Sequence, residues 1–315
     1  MSAAKGAIRI TLLCLTVWAH PALGQSRDRG PIVLDLSAST RALALGNAFA
    51  LGSGDSDALF YHPGQLSRAQ GFVASLQRFT AMGTFTALSA GQSWFGGGVA
   101  LGVQHLGYQI PQDAIGTVED ILDLPGDDAS LRDGGELAAS ELVLSAGYGK
   151  RLMGAQVGVV GKLVEQRLGF RKAGTVAVDL GIVHSEGLVT MGLAAQNLGP
   201  AMDMAGGEVP LPVRFTLGAS SRSAPLGPLD VSASGALSYR LDEDLAPSLG
   251  LEVGYWPLTG RTFVGRIGYR HRTEEFTTSP ITFGGAFMGD NIVLEYAYQG
   301  YENGSPSHSF SIGWR

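Results

Sequence analysis

From about residue 70 onward the side chains of this sequence alternate in character with a period of two. Ile292, Leu294, Tyr296 and Tyr298 fall on one face of a strand-length segment, with Val293, Glu295 and Ala297 on the other. Close to the C-terminus His308, Phe310, Ile312 and Trp314 share a face opposite Ser309, Ser311 and Gly313. That period belongs to β-structure, because successive residues of a strand point to opposite sides. Segments of this kind are expected at 71–80, 84–94, 97–108, 137–150, 154–167, 174–184, 187–197, 211–222, 228–241, 247–256, 261–271, 279–288, 291–300 and 306–315. Each is long enough to cross a bilayer as a tilted strand, which takes about 9–11 residues. Fourteen is also an even number, as a closed bacterial membrane barrel requires. The expected fold is therefore all-β: a 14-stranded antiparallel transmembrane barrel.

The N-terminus supplies the matching address. Lys5 and Arg9 precede the apolar run Ile10 to Ala19, and Ala22-Leu23-Gly24 offers small residues for cleavage before Gln25. This reads as a secretion signal over 1–24, its core being too short for the ~20 residues of a spanning helix. Beyond it no stretch of about 18 apolar residues occurs, which argues against a helical membrane protein. The one cysteine, Cys14, lies inside the signal, so neither a disulfide framework nor a thiol site is expected afterwards. Mean hydropathy is +0.14 with only 16% charged residues, high for a chain without membrane helices. Without Lys5 and Arg9, 20 basic residues face 28 acidic ones. Nucleic acid is excluded as a partner, since phosphate binding needs a basic surface.

Two further patterns agree with a barrel. If the chain enters its first strand from the periplasm, the turns at 95–96, 151–153, 185–186, 223–227, 257–260 and 289–290 fall at one end and are short. The connections at 109–136, 168–173, 198–210, 242–246, 272–278 and 301–305 fall at the other end and are mostly longer, as such barrels are built. Charges within strands alternate against apolar residues. Arg against lipid costs about 2–4 kcal/mol near the midplane, so these charges should face the lumen. On that argument Glu252, Glu295 and Asp179 are candidates to pair with Arg214, Arg266, Arg270 and Lys162, mainly to brace the lumen.

Residues 25–70 break the pattern, and the organisation expected is signal 1–24, extension and hatch 25–70, barrel 71–315. Alanine and leucine over 41–51 suggest short helical turns, broken at Gly52 and Gly54, with Asp57 placed to cap a turn beginning at Ala58. An apolar, glycine-interrupted peptide ahead of a wide barrel has a resting place in its bore. The run Arg41-Ala42-Leu43-Ala44-Leu45-Gly46-Asn47-Ala48-Phe49, the acids Asp55 and Asp57, and Ala58-Leu59-Phe60-Tyr61 resemble the N-terminal hatch of the PorV/PorQ family, relatives of the FadL-type transporters. His62-Pro63-Gly64-Gln65 departs from that family's usual Asn-Pro-Ala-Gly. Gln196-Asn197-Leu198-Gly199-Pro200, Leu211-Pro212-Val213-Arg214 and the closing hairpin around Glu295-Tyr296-Ala297-Tyr298 extend the resemblance. It implies an outer-membrane barrel whose hatch carries Arg41, Leu45, Gly46, Ala48, Phe49, Asp55, Asp57, Phe60, Tyr61, His62 and Pro63. It also implies two functions: docking secreted cargo in a type IX-like secretion pathway, or passing hydrophobic compounds such as fatty acids or aromatics through a FadL-like channel. The last strand resembles the signal read by the barrel-assembly machinery, although its aromatic, Trp314, is penultimate.

Other chemistry is sparse. Loop 109–136 holds Asp113, Glu119, Asp120, Asp123, Asp127, Asp128, Asp133 and Glu136 against Arg132. Such oxygens suit Ca²⁺ or a cation bridge to lipopolysaccharide, but the spacing is not that of an EF-hand, so a solvated loop is expected and no metal site. A channel would line its outer pocket with Ile115, Val118, Ile121, Leu122 and Leu124 of the same loop. Gly158-Val159-Val160-Gly161-Lys162 lacks the spacing and hydroxyl of a phosphate loop. His62, His105, His184, His271 and His308 have no metal-ligand spacing. No catalytic constellation stands out and no cofactor is expected; expected partners are outer-membrane lipid and lipopolysaccharide, the barrel-assembly machinery, and secreted cargo or a hydrophobic small molecule.

Overall fold

In the computed structural model, residues 30–48, 55–79, 83–110, 137–169, 171–204, 207–241, 245–258, 260–271, 278–301 and 306–314 are described. The signal segment, Phe49, the acidic residues of loop 111–136 and the apolar residues proposed to line it lie outside them. Fourteen long strands build the wall. They are β1 (Gly71–Phe79), β2 (Gly83–Trp94), β3 (Gly97–Ile110), β4 (Leu137–Leu152), β5 (Ala155–Leu168), β6 (Arg171–Glu186) and β7 (Val189–Leu198). The second half comprises β8 (Arg214–Ser221), β9 (Leu229–Arg240), β10 (Ala246–Leu258), β11 (Arg261–Arg270), β12 (Thr278–Met288), β13 (Ile292–Tyr301) and β14 (Ser307–Trp314). Every strand pairs antiparallel with its sequence neighbours, and β1 pairs with β14 from Phe72 opposite Trp314 to Phe79 opposite Ser307. The sheet closes on itself, so no edge is left to pair with another chain.

The outer surface explains the alternation. Leu76, Leu101, Leu163, Ile182, Leu251 and Ile312 all point outward and are 42–59% exposed. On β6 the outward residues Val176, Val178, Leu180 and Ile182 lie between Lys172 and His184, a distance of about 30 Å along the axis at ordinary strand rise and tilt. Trp94, Phe95, Trp256 and Trp314 are exposed at the end where the chain finishes, here called the turn rim. An apolar band ringed by aromatics suits hydrocarbon flanked by an interface, and no water-facing surface is built this way.

Three departures from the expected strands have physical causes. Strand β8 starts at Arg214 rather than 211, because Pro210 and Pro212 cannot donate to the ladder. The connection 198–210 contains a small hairpin, Met202–Met204 against Gly207–Val209, that folds back on β6. The connection expected over 168–173 is shorter, since β5 and β6 pair out to Leu168 opposite Arg171.

The bore and the segment that fills it

Residues 30–48 and 55–69 lie inside the barrel as a chain of short turns. Ser39 caps the helix Thr40–Ala44, its hydroxyl accepting from Ala42 N at 3.3 Å. That helix stops as a Schellman turn: Asn47 N donates to Ala42 O at 2.8 Å and Gly46 N to Leu43 O at 3.1 Å. Gly46 supplies the left-handed conformation the turn demands, at φ +63°. Asp57 sits within a 3-10 helix, Ser56–Phe60, whose N-cap is Asp55, so the expected cap at Ala58 is not formed. A second 3-10 turn, Pro63–Arg68, carries Pro63 at its first position, where a missing N–H costs nothing.

Polar groups of the wall hold this segment at many points. Ser75 Oγ donates to Ala38 O at 2.7 Å, Thr40 Oγ1 meets Ser309 Oγ at 2.8 Å, and Ser67 Oγ donates to Gln156 Oε1 at 2.7 Å. Gln196 Nε2 donates to Phe60 O at 3.1 Å. Glu141 is fully buried and accepts from Val33 N at 2.7 Å, Gln166 Nε2 at 2.9 Å and Tyr108 OH at 3.2 Å. Elsewhere backbone meets backbone through wall glycines. A Cβ at Gly98 would lie 1.9 Å from Leu66 O, at Gly158 2.0 Å from Pro63 O, and at Gly268 2.0 Å from Gly46 N.

Ion pairs organise the remainder. Arg266 donates to Glu252 and Glu295, both at 2.7 Å, and Arg41 of the inner segment reaches the same Glu252 at 3.0 Å. Lys162 pairs with Asp179 at 2.7 Å and donates to Asn197 Oδ1 at 2.8 Å. Asp179 stands at a bulge: Val178 faces Leu198 while Leu180 faces Ala195, leaving Asp179 opposite two residues of β7. Asn197 takes φ +59° there, and its N–H donates to Asp179 Oδ1 at 2.7 Å. Asp35 is clamped by Arg214 at 2.6 Å and Arg240 at 2.7 Å.

The bore differs from end to end. Near the loop rim Phe79, Phe85, Leu106, Val164, Leu168 and Met202 surround Val33 and Leu34 in one apolar cluster. At the turn rim a cavity of about 260 Å³ is lined by Arg41, Arg68, Arg222 and serines of β6, β8 and β9. On the outside, a groove of about 700 Å³ crosses β5 to β9, with Leu180, Leu193, Phe215 and Leu237 as walls and Gly158 and Gly181 in its floor. The His62 ring lies directly behind Gly181, 3.0 Å from where its Cβ would be.

Within the inner segment, Asp57 and His62 carry protonation equilibria shifted across the acid-to-neutral range. Burial, and then the neighbouring Asp55, raise the Asp57 carboxyl from 3.8 to about 7, against the opposing pull of Ser39 and Arg41. Burial lowers His62 from 6.5 to about 4; neither ring nitrogen has a hydrogen-bond partner among the described residues, although the Leu193 backbone nearby weakly favours its cation. Asp57 therefore favours the seated segment below pH 3.8 and loses that contribution as pH rises through about 7. His62 contributes above pH 6.5 and loses its share as pH falls through about 4. The two slopes oppose each other between pH 4 and 6.5. Protease accessibility of the segment should be flat across that window in the native protein. Asp57→Asn should loosen the segment towards pH 4, and His62→Phe should loosen it towards pH 7; identical profiles for all three proteins would refute the assignment.

Of the expected inner-segment residues, Leu45, Ala48, Asp57, Phe60, His62 and Pro63 are buried, and Arg41, Gly46, Asp55 and Tyr61 are placed among them; the Tyr61 hydroxyl accepts from Ser39 N. The expected lumen charges all point inward, but their partners differ in part. Arg214 turns to Asp35, not to a wall acid, and Arg270 lines a small polar cavity beside Asn47 and Tyr61. Glu141 and Asp35 went unnoticed in the sequence. Glu141 follows the same alternation, lying in register with Ala139 and Val143 and against Leu142 and Leu144. Asp35 is a lone acid inside Ile-Val-Leu-Asp-Leu, itself a signal for a buried partner.

No family model and no curated protein sequence matches this chain. Its fold is similar to that of the Ralstonia pickettii toluene transporter TbuX, with a TM-score of 0.52 and 14% identity over 88% of this chain and 98% of that one. The monoaromatic hydrocarbon channel CymD superposes with a TM-score of 0.52 at 12% identity, covering 84% of this chain and 93% of that one. A Pseudomonas aeruginosa FadL homologue gives 0.50 at 10% identity, over 88% and 97%. Likeness at these identities is likeness of fold.

Proposed function

We propose that this chain is a FadL-like conduit of a bacterial outer membrane, taking up hydrophobic compounds, with the inner segment as its hatch. The observation that carries this reading is the apolar cluster at the loop rim. A diffusion pore keeps a polar lumen, whereas here Phe79, Phe85, Leu106 and Val164 line the bore and the hatch's own Val33 and Leu34 occupy it. A hydrophobic solute entering from outside would meet that apolar lining once the hatch arm shifts. It would then face the arginine- and serine-lined cavity below, where an apolar molecule gains nothing. The sideways route through the thin glycine floor of the external groove leads instead to lipid, and we assign the exit there. The toluene transporter and hydrocarbon channel of similar fold support the same class of cargo.

The alternative, docking of secreted proteins in a type IX-like pathway, rests on the resemblance of residues 38–66 and most of 190–315 to PorV/PorQ and has no support among the proteins of similar fold. Proteoliposomes separate the two. Uptake of radiolabelled toluene or a long-chain fatty acid should exceed that of empty vesicles and remain negligible for a sugar of similar size. Equal uptake by loaded and empty vesicles would remove the conduit. Secreted proteins copurifying in mild detergent, without lipid or aromatics, would favour docking.

A further inference from the structure

The outward face of β4, β5 and β6 at the loop rim carries a feature that transport does not use. Arg167 and Lys172 stand directly opposite each other across the β5–β6 ladder, an unfavourable pairing of like charges. Glu165 lies beneath and accepts from both, from Arg167 Nε at 2.8 Å and Lys172 Nζ at 2.7 Å. One positive charge is left over. Both cations are more than half exposed, at 58% and 54%, and among the described residues Arg167 is engaged through its Nε alone. Immediately below, Gly174 stands opposite Glu165 and leaves a gap in the wall. The gap opens a groove of about 360 Å³ walled by Leu142, Leu144, Leu163 and Val176.

We propose that this groove and its two cations seat one molecule of lipopolysaccharide: an acyl chain lies against the four aliphatic side chains, and a phosphate of its headgroup bridges Arg167 and Lys172. The position suits that occupant. The cations stand where the apolar band of β6 ends, at the level of headgroups, and the longer loops place this rim on the outer face. A guanidinium presents paired donors to phosphate oxygens, and an anion between Arg167 and Lys172 converts their mutual repulsion into shared attraction. The proposal rests on the outer-membrane location and the orientation of the barrel, and is independent of what passes through the bore.

Native mass spectrometry of delipidated protein in mild detergent, titrated with lipopolysaccharide or with phosphatidylglycerol, tests it. The native protein should retain one lipopolysaccharide. Arg167→Gln/Lys172→Gln should weaken retention about tenfold, the loss of two charge-assisted contacts. Gly174→Leu, which fills the groove, should weaken it as well, with each variant checked for the heat-modifiable migration of a folded barrel. Lys150→Gln/Arg261→Gln, at the opposite rim, should retain lipopolysaccharide as the native protein does. Retention unchanged in the Arg167/Lys172 variant, equal loss in the Lys150/Arg261 variant, or equal affinity for phosphatidylglycerol would each overturn the assignment.

Discussion

Replacing Gly158 with valine is expected to unseat the inner segment and open the barrel to ions. The position belongs to β5, paired with Gly149 on one side and Gly181 on the other, and the backbone of Pro63 and Gly64 passes directly over it. A Cβ there would meet Pro63 O at 2.0 Å and Pro63 C at 2.5 Å. Neither is the tip of a flexible side chain, so the turn Pro63–Arg68 has to lift. Valine is otherwise well suited to a strand, so the wall itself should fold normally. Lifting that turn separates Ser67 from Gln156 and moves His62 away from Gly181. In planar bilayers, conductance should rise about tenfold over the native protein, because fourteen strands enclose a bore wider than their own side chains fill. Gly161→Val is the control: it lies three residues further along the same strand, and a Cβ there meets nothing within 4 Å. If both variants conduct alike, the close approach at Gly158 does not hold the inner segment.

The same glycines show where sequence reasoning reached and where it stopped. Period-two patterning locates all fourteen strands because each has one face against hydrocarbon, and the penalty for a misplaced charge is paid locally, residue by residue. It likewise sends Lys162, Asp179, Glu252, Arg266 and Glu295 inward. Which charge meets which is another matter. Asp35 finds Arg214 and Arg240 from 179 and 205 residues away, a pairing that depends on how deep the segment sits in the bore. No local pattern encodes that depth. Gly98, Gly158 and Gly268 likewise look like ordinary strand glycines until the turns that press on them are in place. The helix stop at Gly46 is no more legible, because the alanine- and leucine-rich run continues past it to Leu51 and points instead to breaks at Gly52 and Gly54, which lie outside the described residues.

The second large effect is expected at Arg266, whose side chain is 1% exposed and holds two carboxylates at once. Arg266→Met should keep most of the volume and remove the charge. Among the described residues Glu295 then keeps the Ser311 hydroxyl alone, at 2.9 Å, and Glu252 keeps Arg41. Leaving a buried carboxylate without its cation costs about 3–5 kcal/mol, far more than the intact pair contributes relative to an apolar substitute. Unfolding in urea from detergent micelles should therefore show the barrel destabilised by about that amount. Arg266→Met/Glu295→Gln should regain at least half of the loss, because the stranded charge is gone. Arg41→Gln makes the discriminating comparison. Arg41 comes from the inner segment, so its loss frees one end of Glu252 but leaves Arg266 bridging β10, β11 and β13. Its effect should appear as easier hatch release with little change in the urea midpoint. If Arg41→Gln instead destabilised the wall as much as Arg266→Met, hatch and barrel would be one cooperative unit, and no gate could open without unfolding the cylinder around it.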